Sequence, residues 1–216
     1  MKLLQAALDL FTTEQTLEVL EQIGEYLDII ELGTPLMIAE GARVVKEVKT
    51  RYPDKIVFAD IKVMDGGGVV PKVVFEAGAD MVSVLAAADD NTIQATIDLA
   101  KEYGRKVLVD MCSVKDIAGR AKEVERMEPD YICVHVGYDI QATGVDPIEE
   151  LHKLDGIKCH KAIAGGIKLS TFEEAVKSPA DVIISGGGIY NQPDMRETAR
   201  KMREILDAYN GGMVQN

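Results

Sequence analysis

Ile56-Val-Phe-Ala-Asp60-Ile-Lys62-Val-Met-Asp65 decides how this chain is read, because an apolar run ends in three charges and is then cut by Gly66-Gly-Gly68. Four apolar residues in a row suit a strand covered on both faces. In a strand, residues i and i+2 project from one face, so Asp60 and Lys62 leave the strand end side by side, with Asp65 one short step beyond. Desolvation usually cancels the attraction of such a pair, so a charged cluster on an apolar strand points to a site more than to a strut. The plain alternative is a salt bridge on a solvated rim.

Outward from this stretch, short β-like runs alternate with amphipathic helical segments about eight times. Candidate strands are Leu3 to Leu10, Asp28 to Thr34, Ile56 to Val63, Asp80 to Leu85, Lys106 to Cys112, Asp130 to Val136, His160 to Ala164 and Asp181 to Ser185. Thr13-Glu-Gln-Thr16 and Asp90-Asn-Thr-Ile93 open helices with capping residues, and Gly104 closes one where a left-handed residue is wanted. No linker or low-complexity run interrupts the series. One (β/α)8 TIM barrel over residues 1–216, as a single domain, fits better than an open doubly wound sheet. Gly66-Gly-Gly68 and Gly186-Gly-Gly188 lack the G-x-G-x-x-G spacing of a dinucleotide site.

The 216 residues, 47% of them hydrophobic, suffice for one sizeable core. A net charge of −12 argues against nucleic acid or anionic membrane as partner. Neither a membrane span nor a signal peptide is legible, so the expected location is cytoplasmic. Cys112, Cys133 and Cys159 are odd in number, far apart and set in apolar runs, which predicts buried, inert thiols.

A barrel of this kind carries its chemistry at the C-terminal strand ends. Polar groups recur there: Asp9, Glu31, Asp60 with Lys62, Asp110 and His135. Each alone has an ordinary explanation as a rim acid, a helix cap or a satisfied core histidine, but their recurrence at one level argues for a site. Glu31 and Asp60, on adjacent strands, suit Mg²⁺, a hard ion that prefers oxygen ligands and keeps coordination positions open. His152 and His160 have no metal-ligand spacing and read as surface or structural residues. The last two strands run into Ala164-Gly165-Gly166-Ile167 and Ser185-Gly186-Gly187-Gly188-Ile189, which reads as a phosphate cup built from backbone NH groups.

Together, Asp9, Glu31 with Gly33-Thr34, Asp60-x-Lys62-x-x-Asp65, Asp89-Asp-Asn-Thr-Ile93, Val109-Asp-Met111, Tyr131-Ile-Cys-Val-His135, Gly137-Tyr-Asp-Ile-Gln-Ala142 and the two glycine turns resemble the orotidine 5′-monophosphate decarboxylase suprafamily nearly end to end. Within it, His135-x-Gly-Tyr-Asp-x-Gln and the triple glycine are similar to the 3-hexulose-6-phosphate synthase branch. The 3-keto-L-gulonate-6-phosphate decarboxylase branch tends to place Arg at the position of Tyr138 and a Gly-Arg pair at Gly186-Gly187.

The resemblance implies a carbon–carbon lyase that condenses formaldehyde with D-ribulose 5-phosphate through a Mg²⁺-stabilised 1,2-enediolate. It assigns Mg²⁺ to Glu31 and Asp60, charge stabilisation to Lys62 and proton transfer to His135. Asp9, Asp110 and Tyr138 bind substrate, Asp110 also orienting Lys62, while Gly165, Gly166, Gly186 and Gly187 hold phosphate. It also implies a homodimer with shared sites, in which Asp65 reaches across the interface. A phosphate-binding barrel without catalysis is the competing class, and it has no use for Glu31, Asp60 and Lys62.

Overall fold

Inward-facing and outward-facing apolar residues alternate along every strand, and they sort into two separate cores. In a computed structural model describing residues 1–213, strands β1 (Leu3–Leu8), β2 (Ile29–Leu32), β3 (Ile56–Val63), β4 (Met81–Leu85), β5 (Lys106–Asp110), β6 (Tyr131–His135), β7 (His160–Ala164) and β8 (Val182–Ser185) pair in parallel in chain order. Pairing of β8 with β1 closes the barrel, as the sequence predicts. Outward residues such as Leu4, Ile30, Val57, Val82 and Ile132 pack under the helices as one core. Inward residues such as Ile29, Phe58, Met81, Leu108 and Val182 fill the barrel itself as another. Among the described residues, no helix is long and apolar enough to cross a membrane.

Going up the barrel, the inward positions change from apolar to polar. Ile29 is followed two residues on by Glu31, Phe58 by Asp60, Met81 by Ser83, Leu108 by Asp110 and Cys133 by His135. The period of two therefore stacks a polar layer on an apolar plug at one end of the barrel.

Several boundaries move by a residue or two, each for a local reason. Even strands begin after, not at, Asp28, Asp80, Asp130 and Asp181, because each of these carboxylates accepts a backbone amide from the neighbouring strand, namely Leu4, Val57, Val107 and Lys161. β1 stops at Leu8, short of Leu10. The first helix, Thr13–Ile23, is capped by Thr12, whose side chain accepts from the Gln15 amide, and Asp89 caps Asp90–Tyr103. Gly104 ends that helix at φ +63°.

β3 is irregular where its charges lie. Its pairing with β4 runs Phe58 to Met81 and Ala59 to Val82, then resumes at Val63 to Val84. Lys62 sits there at φ +43°, a left-handed conformation that costs a non-glycine residue about 1 kcal/mol or more. Asp60 and Lys62 do project together, but through a bulge and not through plain strand alternation.

Candidate active site

The polar layer opens into a cavity of about 880 Å³ whose wall includes Asp9, Glu31, Asp60, Lys62, Asp110, His135 and Tyr138, together with Gly165, Gly166, Gly186 and Gly187. The structure thus brings together every predicted site residue except Asp65. Asp65 is exposed beyond the end of β3, and its side chain accepts the Gly66 amide at 2.7 Å.

Lys62 Nζ lies 2.9 Å from Asp60 Oδ2 and 3.1 Å from Asp110 Oδ2. Burial works against its charge, but the pull of Asp60 and Asp110 outweighs this and holds the ammonium far above the ordinary lysine value. His135 Nδ1 is 2.9 Å from Asp110 Oδ2, and Asp110 Oδ1 accepts the Cys112 amide. Despite its burial, Asp110 is held down to about 2 by His135 and Lys62. Burial disfavours the His135 imidazolium, yet the hydrogen bond to Asp110 raises its pKa above the usual histidine value.

Asp60 is gripped from both sides: Ser83 Oγ on β4 donates to Oδ1 at 2.7 Å, and Thr34 Oγ1, at the start of the helix after β2, donates to Oδ2 at 2.7 Å. Gln5 Nε2 donates to Glu31 Oε2 at 2.7 Å inside the barrel. Burial, reinforced by the Asp60 charge, pushes Glu31 well above the ordinary carboxylate range, and the same two causes raise Asp9.

Asp9, Glu31, Asp60 and Asp110 share Lys62, which bridges Asp60 and Asp110, and His135, which contacts Asp110, so four carboxylates face two basic groups. Glu31 and Asp60 are the carboxylates that would hold a hard dication, which would offset the Asp60 repulsion that adds to burial in raising Glu31. Among the described residues no group of three or more His, Cys, Asp or Glu is arranged to hold a metal by itself. Two carboxylate donors, with other positions left to water or substrate, match the habit of Mg²⁺.

At the glycine end, Gly165 sits at φ +113°, where a Cβ would come within 2.5 Å of the Val136 carbonyl oxygen. Only glycine fits, and the bare backbone of Gly165 and Gly166 faces the cavity. The β8 glycines enter a four-residue helix, Gly187–Tyr190, too short to contribute much dipole, so any anion there depends on individual NH groups. Tyr138 stands on the rim, 86% exposed. Cys133 is a buried thiol raised by burial, but Cys112 and Cys159 are half-buried, a correction to the expectation of three buried thiols. Cys112 lines the cavity because it follows the end of β5, outside the sheet. His152 and His160 are exposed beside Asp155 and Asp181.

Ser83 and Gln5 were not singled out from sequence, where each looks like an ordinary strand residue. The available signal was parity: both occupy inward positions of the period-two pattern.

The chain matches the orotidine 5′-phosphate decarboxylase / HUMPS family over residues 2–202. It is 47% identical over 205 residues to 3-hexulose-6-phosphate synthase of Bacillus subtilis (strain 168), covering 94% of this chain and 98% of that protein. The solved structure of 3-hexulose-6-phosphate synthase from Salmonella typhimurium superposes with a TM-score of 0.93 at 39% identity, covering 96% of this chain and 99% of that one. That of 3-keto-L-gulonate-6-phosphate decarboxylase from Vibrio cholerae O1 biovar El Tor str. N16961 gives 0.85 at 26% identity, covering 96% and 98%. With the barrel, the carboxylate–lysine layer and the glycine turns in place, these matches establish that the chain belongs to the orotidine 5′-phosphate decarboxylase / HUMPS family.

Proposed function

We propose that this protein condenses formaldehyde with D-ribulose 5-phosphate to give D-arabino-3-hexulose 6-phosphate. The observation that carries this is the half-buried ammonium of Lys62 between Asp60 and Asp110, lining one cavity with Gly165-Gly166 and Gly186-Gly187. Relatives at 39–47% identity named 3-hexulose-6-phosphate synthase support the same reading.

In this reading the glycine turns bind the phosphate and fix the sugar's far end. Asp9 accepts a hydrogen bond from a sugar hydroxyl, and Tyr138 closes on the substrate from the rim. A proton leaves C1, and the resulting 1,2-enediolate places negative charge near Lys62, which stabilises it electrostatically. The enediolate carbon then attacks formaldehyde, and the new hydroxymethyl oxygen takes up a proton. His135, held by Asp110, accepts the C1 proton as the neutral imidazole and returns it to the new hydroxymethyl oxygen, so that it is unchanged at the end of the cycle. Mg²⁺ bound by Glu31 and Asp60 would supply Lewis-acid stabilisation of the developing oxyanions.

The working unit in this reading is a homodimer. Asp65 is exposed and does not line its own cavity, and near it in sequence Met64, Val69, Val70 and Val73 are exposed apolar side chains. Exposed apolar surface beside a site is a natural contact for a second copy, which would bring Asp65 to the neighbour's mouth. The deciding assay is turnover of D-ribulose 5-phosphate plus formaldehyde, with and without Mg²⁺, run beside 3-keto-L-gulonate 6-phosphate. Turnover of the gulonate phosphate alone would overturn the assignment.

A further inference from the structure

We infer that Ser83 is a positioning residue for the reaction: its hydroxyl replaces the backbone pairing lost at the β3 bulge and holds Lys62 and Asp60 in working geometry. This rests on the proposed roles of those two residues.

The need arises from the register. Between the pairs Ala59 to Val82 and Val63 to Val84, β3 carries Asp60, Ile61 and Lys62, whereas β4 carries Ser83 alone. Three residues face one, so the sheet cannot satisfy the β3 backbone by regular pairing at this point. Lys62, at φ +43°, points its amide at Ser83 Oγ at 2.8 Å. An amide can only donate, so the serine oxygen must accept there, and its own proton is left for another partner. That proton goes to Asp60 Oδ1 at 2.7 Å. One fully buried hydroxyl thus links the lysine's backbone to the carboxylate that the lysine's side chain also contacts.

The link acts at two places. It stabilises the left-handed Lys62 backbone, which directs the ammonium between Asp60 and Asp110 instead of along the strand. It also holds Asp60 from the β4 side, opposite Thr34. Alanine would leave a buried amide without a partner and let the carboxylate turn. Threonine would keep the hydroxyl, and its branched Cβ suits a strand.

The test compares Ser83→Ala and Ser83→Thr with the full-length protein, by steady-state kinetics and by the crystal structure of each variant. For Ser83→Ala, kcat should fall roughly ten- to a hundredfold, since small misplacement of a catalytic group has effects of that size. KM for the sugar phosphate should stay within about threefold, because the glycine turns are untouched, and Ser83→Thr should recover kcat to within about threefold of wild type. In the Ser83→Ala structure, Lys62 should relax to negative φ or the Asp60 carboxylate should rotate. A folded Ser83→Ala protein with wild-type kcat, a Thr variant as slow as the Ala variant, or an Ala variant whose Lys62 and Asp60 have not moved would overturn the role. Should Ser83→Ala not fold, Ser83→Cys, with its weaker donor and acceptor, takes its place with the same expectations. If wild type does not turn over these substrates, the proposed function has failed, and the structural comparison still decides what Ser83 holds.

Discussion

Acidic side chains ring both ends of this barrel, four at each end, in opposite circumstances. At the N-terminal end, Asp28, Asp80, Asp130 and Asp181 each accept a backbone amide from the preceding strand at 2.7–2.9 Å. Basic side chains stand beside three of them: Arg203 by Asp28, Lys49 and Arg105 by Asp80, and His160 by Asp181. At the C-terminal end, Asp9, Glu31, Asp60 and Asp110 face a cavity and share Lys62 and His135 as their nearby cations. There, burial first and the neighbouring Asp60 charge second raise Asp9 and Glu31 above the ordinary carboxylate range. The same residue type closes a sheet at one end and lines a site at the other. What separates the two is whether the neighbouring donors are permanent parts of the fold.

The largest effect should come from Lys62→Ala. Loss of this cation should lower kcat by about a hundredfold or more while the protein stays folded, because the charge acts in the transition state and not in packing. Retention of more than about a tenth of wild-type activity would remove Lys62 from catalysis. Mixing Lys62→Ala with inactive Asp65→Asn protein extends the same comparison to the dimer. After verified subunit exchange, recovery to about a quarter of wild-type activity is expected, since half the molecules are heterodimers with one intact site each. No recovery would place Asp65 outside the neighbour's site.

The opposite ring should fail in the opposite way. Asp80→Ala leaves the Val57 amide, Lys49 and Arg105 without their carboxylate, and should cost about 2–3 kcal/mol of stability in urea denaturation. The kcat of the folded fraction should stay within about twofold of wild type, because nothing at that end touches the cavity. An Asp80 variant that is stable but slow would break the division of labour between the rings.

The two rings were unequally legible in the sequence. The upper one followed from a one-dimensional rule, a polar residue at the last inward position of an apolar strand, so Glu31, Asp60, Asp110 and His135 could be named in advance. The lower acids were visible too, but they read as first residues of strands, because a side chain that takes a neighbour's amide leaves no trace in hydropathy. Ser83 and the left-handed Lys62 were hidden for a related reason. A bulge is a mismatch between two strands about twenty residues apart, and neither strand alone carries its sign. Asp65 was legible as a charge but not as a position, since three glycines release the chain after it.

Glu31→Gln sharpens the claim that the upper ring holds surplus charge. Burial and Asp60 raise the Glu31 pKa above its unfolded value. The sign follows: the stability linked to Glu31 is complete below the unfolded value, near 4.3, and is lost as pH rises through the raised folded value. At neutral pH the metal-free protein is therefore weakened by this carboxylate. A neutral amide of the same shape can keep the Gln5 hydrogen bond and should raise the metal-free melting temperature by roughly 2–4 °C, the shift that about 1 kcal/mol produces in a chain of this size. The variant should also lose any Mg²⁺-induced rise in melting temperature and most of its turnover. A lower metal-free melting temperature together with an intact Mg²⁺ response would count against both the surplus charge and the metal position.

The smallest effect concerns Asp110, the upper acid that contacts both Lys62 and His135. Asp110 is held at about 2, and His135, its partner at 2.9 Å, is raised above the usual histidine value by the same hydrogen bond. For Asp110 the linked stability is present above its unfolded value, near 3.9, and is lost as pH falls toward 2. For His135 it is complete below the unfolded value, near 6.5, and is lost as pH rises through the raised folded value. The two limits bracket a window from about pH 4 to 6.5 in which the charged pair contributes fully. His135→Gln removes the imidazolium but leaves Lys62 on Asp110, so the carboxylate is not stranded. The variant should be less stable than wild type by about 1 kcal/mol at pH 5.5, the usual scale for a charge-assisted hydrogen bond partly open to water. The gap should be narrower at pH 8.5, on the side toward which the imidazole gives up its proton. Urea denaturation of both proteins at the two pH values measures this directly, since titrations common to them cancel in the difference. A gap that stays constant or widens with pH would mean that His135 is held by packing, and that Asp110 is matched by Lys62 alone.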